Sequence, residues 1–236
     1  MDSREEAKKL FGTKKWRELP IFEAIIHTQQ KQKHLTLTDC RKHLEALEKP
    51  CLNDFPWPAQ HLRERRTYAS NEAIRSHSAE TSQDIFVWDF YPQGLFYCAV
   101  ALPMLSEKSI DSGILLQLCV IVLALNGELF TRLGLSDELL SLSVRLNNTL
   151  DLNLKISPLE NGRRNVCQIH DIRLSRSRTA ADLEGGATAE AAAQFFQEIC
   201  ERFNYSLNEG EFTAVVTGLE NFLQRGLLDG QSCSMQ

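Results

Sequence analysis

The chain has 236 residues, of which 43% are hydrophobic and 24% charged, ordinary values for a globular protein. That excludes a wholly disordered chain, a collagen-like repeat and a disulfide-stapled mini-protein. The formal charge is −5, which argues against wholesale coating of nucleic acid. The charge is unevenly spread: residues up to Ser82 hold 15 Lys/Arg against 12 Asp/Glu, and the rest hold 11 against 19. Five of the six histidines fall in the first part. Two regions are expected, a basic, mostly helical N-terminal region with its linker over 1–82 and a second domain over 83–229, with a frayed tail at 230–236.

The seven cysteines are scattered and odd in number, without a C-x-x-C, as expected of a reducing compartment. The charged start, Met1 to Glu6, precedes no apolar stretch and reads as no signal peptide. The longest apolar run, Ile114 to Leu125, is broken by Gln117 and soon followed by Glu128 and Arg132. A bilayer-spanning helix needs about 20 apolar residues, so no membrane segment is expected and a cytoplasmic protein is.

Pro20 is expected to open a helix with Ile21, Phe22, Ile25 and Ile26 on one face. A second helix begins near Leu37, with Thr36 and Asp39 at capping-box spacing and Leu37, Cys40, Leu44 and Leu47 as its stripe. Residues from about 63 to 82 are polar and read as a linker. Beyond it, Asp84–Phe90 and Gly94–Leu102 are aromatic and β-branched runs joined by Tyr91-Pro92-Gln93-Gly94, which is hairpin chemistry. The second run is apolar on both faces and predicts a central strand. Ser112 or Gly113 then starts a long buried helix, closed by Gly134.

Strict alternation follows over Leu140–Leu146 and again over Leu150–Ile156, a second hairpin turning at Asn147-Asn148-Thr149. Val166–Leu174 is the fifth strand. Ala192, Phe195, Phe196, Ile199, Cys200 and Phe203 share one face of the next helix. The last helix opens at Asn208 with Glu211 three residues on, buries Phe212, Val215, Val216, Leu219, Phe222 and Leu223, and ends at Gly226. The fold class is α+β: a mainly antiparallel sheet of about five strands in the order ββαββ-β-αα, with helices packed on it, preceded by a small helical region.

Nucleotide-binding loops are missing: neither Gly-x-x-x-x-Gly-Lys-Ser/Thr nor Gly-x-Gly-x-x-Gly occurs, and Gly185-Gly186 reads as a flexible entry to a helix. No cofactor is expected. His34, Cys40, His43 and Cys51 are zinc-competent ligands, although their spacing fits no zinc pattern and Cys40 belongs to the apolar stripe. Asp151, Asn153 and Lys155 on one strand face would suit a metal-dependent nuclease, in which carboxylates hold Mg²⁺ beside an activated water. Asn153 stands where a second carboxylate would help, and the solvated face of an amphipathic strand accounts for the same pattern. Gly-x-Ser-x-Gly is missing, and the neighbours His170 and Asp171 point to opposite faces of a strand.

Basic clusters are the strongest remaining signal. Arg163, Arg164, Arg173, Arg176 and Arg178 gather five guanidiniums within sixteen residues of an acidic region. Lys14, Lys15 and Arg17, with Lys8 and Lys9, form a second cluster around Trp16, and Arg63, Arg65 and Arg66 a third. Guanidinium groups match phosphate, and the two N-terminal helices have the outline of a helix-turn-helix. Equally, arginine-rich loops are solvated or dock on acidic protein surfaces.

From Ile85 to Tyr97, the run Ile-Phe-Val-Trp-Asp-Phe-Tyr-Pro-Gln-Gly-Leu-Phe-Tyr resembles the aromatic strand, turn and Gly-Leu-Phe hairpin of the C-terminal region of bacterial Schlafen-type (AlbA-like) DNA-binding or ATP-binding proteins. The helix end Leu129 to Leu135 and the strand Leu142 to Asn148 fit the same pattern, so the resemblance spans about residues 84–205. Those proteins carry an N-terminal module with a Glu-Phe-Lys-type strand that this chain lacks, so no ATP or nuclease activity carries over. What the resemblance implies is a sensor or adaptor half in a bacterial system. The expectation is a non-catalytic regulatory or adaptor protein binding a macromolecular partner, a protein or in the sharper form nucleic acid. Its contacts are Arg163, Arg164, Arg173, Arg176, Arg178, Lys14, Lys15 and Arg17. The alternatives are the nuclease with Asp151 and Lys155, and an obligate subunit, as a homo- or hetero-oligomer, whose Ile114–Leu125 helix finishes its burial on another chain.

Overall fold

The computed structural model describes residues 19–29, 35–47, 67–69, 73–77, 86–105, 108–156 and 165–232. Nine strands are described: β1 Ile21–Thr28, β2 Thr67–Ala69, β3 Ile74–His77, β4 Phe86–Tyr91, β5 Leu95–Ala101, β6 Ser109–Asp111, β7 Leu139–Asn147, β8 Asn153–Lys155 and β9 Asp171–Thr179. The helices are α1 Leu37–Glu45, α2 Ser112–Arg132, the single turn α3 Ala180–Asp182, α4 Thr188–Arg202 and α5 Glu209–Ser232. Seven strands form one antiparallel sheet in the order β2-β3-β4-β5-β1-β7-β9, and β6 pairs with β8 in parallel. The class is α+β.

The segment expected as the first helix is β1, held between β5 and β7. The doublets Ile21-Phe22 and Ile25-Ile26 suit a helix face, but they equally fill the two faces of a central strand. Phe22, Ala24 and Ile26 enter the main core, while Ile21 and Ile25 pack on the other face. Isoleucine and phenylalanine favour that pleated setting, and pairing on both edges decides it. The boundary expected near residue 82 therefore does not divide the sheet: β1, α1 and β3 contribute to the same core as the later elements.

Helix α1 forms as expected. Thr36 accepts the Asp39 backbone N–H at 3.0 Å, and Cys40, Leu44 and Leu47 are buried. The β4–β5 hairpin closes with Gly94 N–H donating to the Tyr91 carbonyl at 2.9 Å, and β5 is central. Among the described residues α2 is the one helix long and apolar enough to cross a bilayer, and 15 of its residues are buried inside this fold. From Leu118 to Phe130 its burial is complete within the chain, while Ile114 and Leu116 near its start are partly exposed.

The second expected hairpin does not form. Both edges of β7 are taken, by β1 and β9. After β7 the chain turns through left-handed Asn148 and Asp151, and only three residues of the alternating run become a strand. Leu152, Leu154 and Ile156 are still buried, so the pattern is right and the partner is different. The fifth strand lies five residues later than expected, because Ser175 to Thr179 look like a loop and yet continue an edge strand. Thr179 opens the next helix with a capping box to Asp182, whose carboxyl the Thr179 hydrogen bonds hold below its usual range. A π-helical stretch, Leu183–Ala187, and left-handed Gly186 lead into α4. The α4 face is buried as expected. The last helix is capped reciprocally by Asn208 and Glu211 and runs through Gly226 to Ser232.

Candidate partner interface

Strand β9 is the last in the sheet: it pairs with β7 along one edge, and no described residue pairs with its other edge. The two-residue period divides its side chains. Ile172 and Leu174 point into the core, Asp171, Arg173, Ser175 and Ser177 are exposed, and Arg176 and Arg178 return to the helix side beyond the apolar positions.

The expected cluster of arginines is thereby split. Arg176 donates to Glu198 of α4 and lies with its guanidinium carbon 5.8 Å from the centre of the Phe195 ring. Arg178 donates to Gln194 at 3.2 Å and to the Ser177 carbonyl at 2.9 Å. These two tie the sheet margin to α4. Arg173 is on the opposite face, 61% exposed and 3.8 Å from Asp171. It stands directly across from Arg145 of β7. Beside it the face is lined with hydroxyls, with Ser143 and Ser175 oxygens 3.0 Å apart and Gln29 donating to Ser177 at 3.0 Å. Arg163, Arg164, Lys14, Lys15 and Arg17 lie outside the described residues.

The same exposed face becomes apolar and buried farther from β9. Val87, Tyr97 and Ala99 form a small second core, and Tyr97 donates to the buried Glu23 carboxylate at 3.2 Å. Arg75 and Asp89 form a buried pair at 3.7 Å. Neither Glu23 nor this pair stood out in the sequence. Only the register, which sets Glu23 opposite Arg145 in the sheet, shows the carboxylate facing a cation.

The other expected sites come apart. Asp151 sits in a turn with φ 62°, so it does not share a strand face with Asn153 and Lys155. It lines a shallow hollow of roughly 440 Å³ with Met104, Lys108, Asn148, Leu150 and His170. Among the described residues, Lys108, Asn148 and Asp151 are three of the four non-glycine residues with positive φ. Cys40 is fully buried and desolvation, with Asp39 beside it, pushes its thiol up to about 11, which opposes the thiolate that a metal needs. His43 is on the same helix, while His34 and Cys51 lie outside the described residues. Among the described residues no group of three His, Cys, Asp or Glu could hold a metal ion. A mainly apolar groove of roughly 480 Å³ runs between the start of α2, α4 and α5, floored by Leu116, Phe196 and Leu219. No protein family, curated protein or solved structure matches the chain.

Proposed function

We propose that the protein is a non-catalytic regulatory or adaptor protein of the cytoplasm that binds a macromolecular partner through the surface carried by β9. The observation behind this reading is a nine-residue edge strand, one edge of which pairs with no described residue, and an exposed guanidinium, Arg173, beside a row of serines. Open strand edges are templates for another chain, and native proteins shorten, cover or charge them. The partner reading rests on β9 and not on the Schlafen-type resemblance.

A protein partner is favoured over nucleic acid by the split of the arginines. Arg176 and Arg178 are engaged with α4, which leaves one exposed guanidinium on β9 where a phosphate backbone is bound by several. The nuclease reading has no geometry in its favour, because Asp151 and Lys155 do not share a strand face.

The test compares wild type with Arg173→Glu in native capture, followed by calorimetry with the purified captured partner. The proposal expects a partner held by wild type and lost by the variant. Equal capture by both removes β9 from consideration. Anisotropy of labelled DNA and RNA across a salt series separates the nucleic-acid form, which requires affinity that falls steeply with salt.

A further inference from the structure

We draw no further inference here: the strongest candidate, the apolar groove between the start of α2, α4 and α5 that is floored by Leu116, Phe196 and Leu219, carries nothing because nothing in the structure shows what covers it.

Discussion

Arg173 of β9 and Arg145 of β7 stand directly opposite each other across the sheet, two cations in one cross-strand pair. A cross-strand pair of like charges is unfavourable by a fraction of a kcal/mol relative to neutral residues. Each cation also has a carboxylate of the same chain near it: Glu23 of β1 stands opposite Arg145, and Asp171 lies 3.8 Å from Arg173.

The pair leads to a prediction that separates binding from stability. Arg173→Glu is expected to weaken partner binding while changing stability by less than about 1 kcal/mol, because the new carboxylate gains Arg145 across the ladder and loses the contact with Asp171. Arg176→Ala is the contrasting control: it removes the contacts to Glu198 and Phe195 and lowers stability. Urea unfolding of the two variants checks both. A clear loss of stability in Arg173→Glu would show that Arg173 supports the fold instead.

Gly127 sits where α2 meets the π-helical stretch before α4. A Cβ added there would lie 2.8 Å from the Leu183 Cβ and 3.0 Å from the Glu184 backbone nitrogen. Because backbone and not a flexible side-chain tip is in the way, Gly127→Ala is expected to destabilise by about 1–3 kcal/mol. A urea midpoint equal to wild type would mean that α2 and this stretch are not in close contact.

The buried thiols give a pH dependence. Desolvation pushes Cys98, Cys119 and Cys200 from near 9 up to about 12. Between those values the folded chain keeps protons that the unfolded chain releases, so these groups support stability below pH 9 and lose it as pH rises toward 12. Unfolding midpoints measured upward from pH 8 should fall, and the thiols should resist a disulfide reagent at pH 8 until the chain is unfolded. Fast modification of these three cysteines in the native protein would contradict their burial.

Lys108 holds a left-handed backbone, φ 53°, without the short polar side chain that makes this region tolerable for Asn148 and Asp151. Lys108→Gly is expected to be neutral or to stabilise by up to about 1 kcal/mol, since glycine relieves the strain and returns part of the gain as unfolded-state entropy. A loss of stability on thermal unfolding would show that the Lys108 side chain makes a contact the fold needs.

Much of this architecture is legible in the sequence because its signals are local. Tyr91-Pro92-Gln93-Gly94, the caps at Thr36 and Asn208, and the apolar stripe from Ala192 to Phe203 each depend on residues a few positions apart. What fails is set by distant pairing. The Ile21-Phe22 and Ile25-Ile26 doublets satisfy two periodicities, and only the slot between β5 and β7 chooses the strand. The run from Leu150 to Ile156 has the right alternation for a partner that β9 and β1 had already displaced. The site is less legible still. The five arginines are close in sequence, but the alternation of β9 sends Arg173 to one face and Arg176 and Arg178 to the other. Strand parity signals that division once the strand is extended past Leu174, a step that the polar Ser-Arg-Ser-Arg-Thr run conceals.

Amide hydrogen exchange, followed with and without the purified captured partner at saturation, tests the interface most directly. The account predicts that the alternate amides between Asp171 and Thr179 that pair with no described residue gain protection, while the amides of β1 and β7 change little. Protection confined to the hollow around Lys108 and His170, or to the groove beside α5, would place the partner elsewhere and contradict the assignment of β9.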